Sequence, residues 1–264
     1  FLESARTVSY ISLGHSPLQM IWLGSRPIPN GCFSNLNSLT VDRCQFLSDV
    51  VLPFHLLPFL TNLQKLKVSY CGSLKSIFDV KREITTMGLG AAPFPLPFAL
   101  KELTLERLPK LENVWNEDPH GILSMQLLQH VKVENCKCLT SVFPASVAKS
   151  LTRLKRMEIE LCNSIEEVVS KEGGESHENE IIFPQLNCLK LKKLPKLRSF
   201  YRGSLLSLPS LEELSVIDCE WMETLCPGTL KADKLLQVQL EWRSDAIKLE
   251  NDLNSTMRKA FRAK

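Results

Sequence analysis

Two cysteines one residue apart are the residues in this chain whose types and spacing first suggest chemistry. Cys136 and Cys138 lie in the stretch "VENCKCLTSVF", residues 133–143. Paired thiolates bind metals or exchange disulfides, but a zinc site takes four ligands, so two more would have to come from elsewhere. The nine cysteines are an odd number at uneven positions, which argues against a fully paired disulfide framework and favours a reducing compartment.

Other patterns that carry catalysis or ligand binding are missing from the sequence. There is no G-x-x-x-x-G-K-[ST], no G-x-G-x-x-G, no G-x-S-x-G and no paired C-x-x-C. His177 and Glu178 lack the second histidine of a zinc-protease helix. His130 is better interpreted as a surface contact residue than as a base. We therefore predict no enzyme activity, and no catalytic, metal or cofactor-binding residue in this chain.

Length and charge narrow the class of protein further. The chain has 264 residues, 44% of them hydrophobic, which is enough for a substantial core. A net charge of +3 gives no reason to expect a nucleic-acid or membrane partner. The apolar run at 50–60 is too short to cross a bilayer. Because the chain begins without Met, we interpret it as part of a longer protein.

A repeated skeleton of six apolar positions, with gaps of 3, 2, 3, 3 and 3 residues, runs through the chain and includes Cys136. All 42 positions of its seven copies are apolar or Cys, whereas about 18 would be expected by chance at this composition. Weaker copies lie at 8–13 and 235–240. The seven clear copies begin at Leu36, Leu63, Leu100, Leu128, Leu154, Leu186 and Leu211.

This skeleton is the leucine-rich-repeat pattern, in which L-x-x-L-x-L marks a short strand with its apolar side turned inward. One repeat cannot bury its own apolar face, so stacked repeats share a continuous core. We predict an α/β solenoid: a horseshoe with a parallel concave sheet of about eight or nine short strands, an irregular or short-helical convex side and a C-terminal capping helix. It forms a single domain over 1–264, with clear repeats at 33–228, a weak N-terminal repeat at 1–32, and a terminal repeat and cap at 229–264.

The repeat spacing also assigns roles to residues outside the skeleton. Successive copies lie 25 to 37 residues apart, and the two long steps place insertions at 80–99 and 170–180, which we expect to be exposed loops. The apolar spacing of the tail at 244–264 predicts a helix that starts at Ser244 and covers the last repeat.

The same register gives the cysteines a structural interpretation. Five copies carry Cys at one skeleton position, where a small buried thiol packs and donates weakly to a turn carbonyl. Cys138 has no counterpart in the other copies. The equivalent cysteines are Cys44, Cys71, Cys136, Cys162 and Cys219.

The sequence resembles the leucine-rich-repeat region of plant nucleotide-binding disease-resistance proteins of the coiled-coil class. The resemblance covers about residues 30–230. It rests on the five Cys-containing copies, on their alternation with the L-P-K-L copies "LERLPKLENVW" and "LKKLPKLRSFY", on variable repeat lengths, and on the acidic loop after "IEEVV".

The resemblance implies a recognition module of an intracellular immune receptor. Its partners would be a pathogen effector or a host protein that the effector alters, together with a nucleotide-binding domain that the repeats help hold inactive. ADP or ATP is expected only in that upstream domain. The implied location is cytoplasmic, with nucleocytoplasmic or peripheral plasma-membrane placement open for the full-length protein.

Two other classes share the repeat. F-box ubiquitin ligases select substrates with more regular repeats near 26 residues, without alternating L-P-K-L copies. Extracellular receptor ectodomains usually carry Asn at the sixth position and L-x-G-x-I-P on the convex side.

A partner would bind at the outward strand positions, because the inward positions form the core. In register, Glu106, Glu134 and Glu160 form an acidic ladder, and like charges stacked this closely cost stability unless they are paired. This strip is either a partner surface or a solvated face with compensating charges. Cys188 and Ile217 are also predicted to face outward, and Tyr70 and Trp242 are candidates for exposed aromatics. The predicted partner-binding residues are Lys65, Lys67, Ser69, Tyr70, Glu102, Thr104, Glu106, His130, Lys132, Glu134, Arg156, Glu158, Glu160, Lys190, Lys192, Glu213 and Ser215.

Overall fold

A parallel sheet with one strand from each repeat forms one side of the molecule, as the skeleton predicts. The structure is a computed structural model that describes residues 10–12, 28, 31–80, 95–119, 121–171, 180–240, 247–248 and 253–256. The eight strands of this concave sheet are Tyr10–Ser12, Ser38–Asp42, Lys65–Ser69, Glu102–Glu106, His130–Glu134, Arg156–Glu160, Cys188–Lys192 and Glu213–Ile217. They are hydrogen-bonded in chain order, and a parallel bridge between Ser215 and Gln239 continues the sheet by one more step. The predicted solenoid with about eight or nine strands is confirmed.

The inward positions of the skeleton form one continuous core. Every predicted skeleton position is buried except Val50, which is only half-buried. Val51 occupies the core there, because it lies between two residues that pair with Ser76 and Phe78 of the next repeat. The first repeat thus carries one residue more than the others between its Leu47 and this position. The prediction for Val50 was wrong by one residue.

The opposite side of the solenoid is built from short strands and single helical turns. Four small parallel sheets and one antiparallel pair accompany the concave sheet within the described residues. A 3-10 helix spans Phe54–Phe59 and an α-helix spans Ala145–Ser150. No helix in the described part of the chain is long and apolar enough to cross a bilayer. The short strands are Val50–Leu52, Ser76–Phe78 and Asn113–Trp115; Leu96–Pro97 and Leu123–Ser124; Phe143–Pro144, Glu167–Ser170 and Ser199–Tyr201; Glu180–Ile182, Leu205–Ser207 and Thr229–Lys231; and Gln237–Val238 with Ile247–Lys248.

Aromatic side chains fill the space between the two sides in the middle repeats. The Phe78 ring stacks on Trp115 with centroids 5.7 Å apart, and Trp115 contacts Phe143 at 5.6 Å. Phe98 meets the edge of Phe78 at 6.0 Å. These rings join four segments from successive repeats, which fixes the spacing of the turns that carry the concave strands.

The tail differs from the predicted helix starting at Ser244. Ile247–Lys248 is a strand that pairs antiparallel with Gln237–Val238, and helical residues are described only at 253–256. The pairing satisfies backbone groups of the terminal repeat, so the chain is extended where the apolar spacing suggested a helix. Leu253 is buried, and the Asn254 amide nitrogen donates to the Cys226 carbonyl at 2.9 Å. The helical turn therefore contacts the last repeat. Most of the two insertions, 81–94 and 172–179, lies outside the described residues.

Candidate functional site

The repeated cysteines are packing residues, and they line the turn below the concave sheet. All five are buried. The Sγ atom of each donates to the carbonyl oxygen two residues earlier, at 3.3–3.7 Å, so the predicted thiol–carbonyl contact is confirmed. The hydrogen bond with the neighbouring Cys162 thiol and burial both raise the pKa of Cys136 well above its usual value. A protonated thiol of this kind is a poor nucleophile.

The C-x-C pair of the sequence is divided between two environments. Cys136 is buried, whereas Cys138 is exposed. No group of three or more His, Cys, Asp or Glu side chains in the described part of the chain is placed to hold a metal ion. The candidate functional site is accordingly the outward face of the concave sheet, where the polar side chains of seven repeats are aligned.

The strand pairing places the outward residues in the rows that the repeat register predicts. His130 pairs with Glu102 and Arg156, and Glu134 pairs with Glu106 and Glu160. The predicted acidic ladder is therefore present as three adjacent carboxylates along one row. The register continues unchanged through the strands Ser38–Asp42 to Glu213–Ile217.

Lysines neutralise this ladder. Lys132 reaches two neighbouring carboxylates, with its Nζ atom 2.8 Å from both Glu106 and Glu134. Lys67 contacts Glu106 from the other side at 3.0 Å, and Lys192 contacts Glu160 at 3.3 Å. The carboxylates tolerate their close spacing because each has a cation beside it.

The network shifts pKa values in the direction that keeps the Glu106 carboxylate and the Lys132 ammonium charged. Partial burial acts to raise the pKa of Glu106, but hydrogen bonds from Lys132 and Lys67 outweigh it and hold that pKa below its usual value. Hydrogen bonds to Glu106 and Glu134 raise the pKa of Lys132. Glu106 and Lys132 therefore both stay charged at neutral pH.

A second ionic cluster lies toward the C-terminal end of the sheet. The Lys190 Nζ atom is 2.7 Å from Glu213, and the same carboxylate accepts a hydrogen bond from the Cys188 thiol at 3.1 Å. These two hydrogen bonds lower the pKa of Glu213. Burial and the hydrogen bond to Glu213 raise the pKa of Cys188 to about 12. The thiol stays protonated and acts as a hydrogen-bond donor.

A shallow depression of about 220 Å³ lies between these clusters at the centre of the concave face. Its polar lining consists entirely of predicted partner-binding residues, and Arg156 pairs there with Glu158 at 2.7 Å. Lys65 and Glu102 pair at 3.0 Å beside it. The side chains that line it are Glu102, Leu103, Thr104, His130, Val131, Lys132, Arg156 and Glu158.

Four positions predicted to face outward are not accessible to a partner. Ser69 and Ser215 are each only 3% exposed, and Cys188 and Ile217 are also buried. The Ser69 hydroxyl donates to Asp42 at 2.7 Å, and the Ser215 hydroxyl contacts Gln239 at 3.3 Å. Short side chains between long ones are covered by their neighbours. The prediction that Ser69 and Ser215 contact a partner needs correction for this reason.

Each strand of the repeats ends in a residue with left-handed backbone geometry. Tyr70 is one of them, with φ of 55°. Its backbone N–H donates to the Glu106 carbonyl at 3.1 Å, and the same bond to the next strand recurs in the neighbouring repeats. This bond extends the backbone hydrogen bonding of the sheet by one residue while the chain turns away from the strand. The side chain at this position therefore projects from the edge of the sheet. The row consists of Arg43, Tyr70, Arg107, Asn135, Leu161, Lys193 and Asp218.

Comparison with known proteins assigns this repeat to a family. The family profile described as "Plant disease resistance protein RPS2-like, leucine-rich repeats" matches residues 7–163 and 150–241. The chain belongs to this RPS2-like family. The repeats of such domains are generally recognition modules that bind other proteins and carry no catalysis.

Two individual proteins illustrate the likeness of these RPS2-like repeats. A probable disease resistance protein of Arabidopsis thaliana is 27% identical over 219 residues, covering 81% of this chain and 20% of that protein. The chain thus spans about a fifth of the length of this relative. The solved leucine-rich-repeat domain of the type III effector XopL aligns with 91% of this chain and 79% of its own, at 16% identity and a TM-score of 0.46.

Several exposed residues of the RPS2-like repeats were missed in the sequence. Leu161 is 38% exposed and Trp221 is 57% exposed, although both lie within otherwise buried repeats. Arg43 and Arg107 flank the Tyr70 ring. The available signal was position: Leu161, Arg43 and Arg107 all stand immediately before the repeated Cys or Leu of the turn. Tyr70 was predicted as an exposed aromatic and is 43% exposed, whereas Trp242 lies outside the described residues.

Proposed function

We propose that this chain is the sensing module of an intracellular plant immune receptor. The ion-paired concave face binds a pathogen effector or a host protein that an effector has altered. The same repeats contact a nucleotide-binding domain elsewhere in the receptor and help hold it inactive, with ADP or ATP bound in that domain. The location of such a receptor is cytoplasmic.

The observation that carries the proposal is the concave face of an RPS2-like repeat domain. Its outward rows present interspersed cations and carboxylates from six consecutive strands, centred on the depression beside His130. Charge rows of this kind favour specific partners, because a wrong partner juxtaposes like charges or leaves a desolvated charge unpaired. The long Lys and Glu side chains that lie over the sheet remain partly exposed to solvent. A partner can therefore displace them and contact the strands.

Glu134 and Glu160 are the residues through which to test it. Both belong to the acidic ladder, and neither side chain is buried. Replacing both with Lys reverses the sign of the centre of the strip while leaving the core untouched. Glu112→Lys with Glu166→Lys is a matched control, because these exposed carboxylates lie on the turns that follow the strands.

The measurement is made on the full-length receptor expressed in leaf tissue. We expect Glu134→Lys with Glu160→Lys to change cell-death output, either by raising it in unchallenged leaves or by abolishing the response to the pathogen. The control pair should leave both outputs at wild-type levels. Equal protein accumulation is checked by immunoblot. Wild-type output from the concave pair, with and without the pathogen, would refute the proposal.

Substrate selection for a ubiquitin ligase is the alternative function. The RPS2-like family match supports immune sensing over this alternative, as do the uneven repeat lengths. A full-length reading frame with a phosphate-binding loop upstream of these repeats would agree with immune sensing, whereas an upstream F-box would contradict it.

A further inference from the structure

The turns that leave the concave strands contain no Asp or Glu over six consecutive repeats, and four of these six turns carry Arg or Lys. We define the basic edge as residues 43–46, 70–73, 107–110, 135–138, 161–164 and 193–196. These 24 residues include no Asp or Glu. In the seventh repeat the corresponding turn is acidic, with Asp218 and Glu220. The basic residues of the edge, all of them exposed, are Arg43, Arg107, Lys110, Lys137, Lys193 and Lys196.

An aromatic ring held between two guanidinium groups lies at one end of the basic edge. The Arg43 and Arg107 Cζ atoms are 4.9 Å and 5.1 Å from the centroid of the Tyr70 ring. All three residues have positive φ and belong to adjacent repeats. The two guanidinium groups pack against the Tyr70 ring, and the exposed part of the ring lies between them. Leu161 provides a second exposed apolar side chain three repeats beyond Tyr70.

The spacing along the basic edge is set by the backbone and not by flexible loops. The first residue of each edge turn donates its backbone N–H to the last carbonyl of the next strand, for example Arg107 to Glu134 at 2.8 Å and Asn135 to Glu160 at 2.9 Å. At a strand spacing of about 4.8 Å, the distance from Arg43 to Lys193 is about 24 Å. This length matches an extended peptide of roughly seven residues.

Four of the six cations of the basic edge, Lys193 not among them, have no carboxylate within ion-pair distance in the described residues. Arg43 pairs with Asp42 at 3.3 Å. The nearby carboxylates of the acidic ladder are engaged by Lys67, Lys132 and Lys192 on the concave face. Glu112, Glu166 and Asp49 lie further along the turns, and Asp49 pairs with Lys75. In the part of the chain that the structure describes, no carboxylate lies within ion-pair distance of Arg107, Lys110, Lys137 or Lys196.

We infer that the basic edge binds an acidic polypeptide segment, whose carboxylates pair with the edge cations and whose apolar side chain contacts Tyr70. The inference deepens the proposed function, because it names the chemistry of one partner of the repeat domain. Charge complementarity supplies the attraction and the Arg–Tyr–Arg cluster the apolar contact. A polypeptide fits better than a phosphate backbone or an anionic bilayer. One extended segment can supply both carboxylates for the edge cations and an apolar side chain for Tyr70, whereas a phosphate backbone or a bilayer surface offers anionic groups alone.

The test uses the 264-residue chain and a fluorescein-labelled 12-residue peptide of Glu and Asp with one central Phe. Binding is followed by fluorescence anisotropy at low and physiological salt. We expect saturable binding that weakens as salt is added, and at least tenfold weaker binding of the same peptide with Gln and Asn in place of its acids. The uncharged peptide tests the inference on the unmodified protein, so the result does not depend on whether a variant folds.

Charge reversal locates the binding on the molecule. Arg107→Glu with Lys110→Glu should weaken binding of the acidic peptide at least tenfold. Arg153→Glu with Lys155→Glu is the matched control, since these exposed cations precede their strand and lie at the opposite edge of the sheet. The control pair should change the affinity less than twofold.

A double-mutant cycle tests the aromatic contact. Tyr70→Asn removes the ring while Asn tolerates positive φ. The substitution should weaken binding of the Phe peptide several-fold and leave binding of a peptide with Ala in place of Phe unchanged.

Three results would overturn the inference: no binding of the acidic peptide, equal binding by the Arg107/Lys110 variant, or edge-dependent binding of a 20-nucleotide RNA or of phosphatidylserine vesicles that exceeds that of the peptide. Failure of the proposed function is distinguishable, because it is measured through Glu134 and Glu160 in the full-length receptor.

Discussion

At the scale of single residues, Lys132 shows how one side chain sets the electrostatics of the concave face. It joins two adjacent carboxylates of the acidic ladder, at 2.8 Å each. The sequence alone predicts that Glu106, Glu134 and Glu160 are neighbours, because the repeat fixes the register. It does not predict which lysine reaches which carboxylate, because long side chains choose among several partners within reach. The sequence therefore leaves open whether the acidic ladder is neutralised by lysines, and the ion pairs of the structure answer this.

The cost of removing this lysine should depend on pH. Glu106 has a depressed pKa in the folded protein, so its contribution is present above the unfolded-state pKa and is lost as pH falls through the folded-state pKa. We expect Lys132→Met to lower the free energy of unfolding by about 1 kcal/mol at pH 7. The deficit should shrink as pH falls below about 4.5, where carboxylates protonate. Urea denaturation across this pH range measures it, with Lys132→Arg as the control that keeps the pairing. A deficit of equal size at pH 3 and pH 7 would contradict this account.

The two cysteines of the C-x-C pair provide a matched test of burial. Cys136→Ser places a hydroxyl in a fully buried site and should cost about 1–3 kcal/mol, whereas Cys138→Ser on the surface should cost less than about 0.5 kcal/mol. Chemical denaturation of both variants measures the difference. A thiol-reactive dye should also label one cysteine rapidly in the folded protein and eight more after unfolding. Similar costs for the two substitutions would show that the pair shares one environment.

At the scale of the repeat element, sequence periodicity predicts which residues of a strand are buried. It does not predict which outward residues are accessible, nor the backbone conformation of the turn. Apolar spacing identified every skeleton core position except Val50, because a period of two separates inward from outward residues in each strand. The same period placed Ser69 and Ser215 outward, yet both are covered, since accessibility depends on the length of neighbouring side chains. Positive φ at the strand ends was also missed. Leu161 and Tyr70 are not typical left-handed residues, so only the fold reveals the position they occupy.

The strained backbone at Leu161 leads to a stabilising substitution. Leucine with φ of 59° carries a cost on the order of 1 kcal/mol, and Asn adopts this conformation more readily. Leu161 is 38% exposed and lies outside the core, so Leu161→Asn should raise the free energy of unfolding by about 0.5–1 kcal/mol. The exposed Leu236 is the control, since its backbone does not have positive φ, and Leu236→Asn should have little effect. Denaturation midpoints compare the two, and a loss of stability in Leu161→Asn would argue against backbone strain.

At the scale of the whole molecule, each repeat contacts mainly its neighbours, and the ends need separate protection. The final repeat is covered by the strand Ile247–Lys248 and the helical turn at 253–256, which replace the continuous helix predicted from the tail. The apolar spacing of the tail identified residues that pack, such as Leu253, but not the antiparallel pairing beside them. That pairing depends on backbone groups left open by the last repeat, and a local pattern does not contain this information.

Asn254 connects the C-terminal helical turn to the last repeat by hydrogen bonds, so its replacement should destabilise mainly that repeat. Its side chain donates to the Cys226 carbonyl and accepts a hydrogen bond from Thr224. We expect Asn254→Ala to cost about 1–2 kcal/mol and to speed hydrogen exchange within residues 213–240. Exchange in the repeats before residue 190 should be unchanged, because solenoid stability is a sum of neighbour terms. Asn163→Ala on an exposed turn is the control, and faster exchange spread over the whole chain would contradict nearest-neighbour coupling.

A surface scan of the full-length receptor would show whether recognition uses the concave face and the turns at its basic edge. Each exposed charged or aromatic side chain of the described residues is replaced singly by Ala, and immune output in leaf tissue is measured for every variant with and without the pathogen. We expect the variants with altered output to cluster on the concave strands and the basic edge, with Lys132, Glu134, Arg107 and Tyr70 among them. Altered output that clusters on the opposite side of the solenoid, or that is spread evenly over the surface, would contradict this expectation.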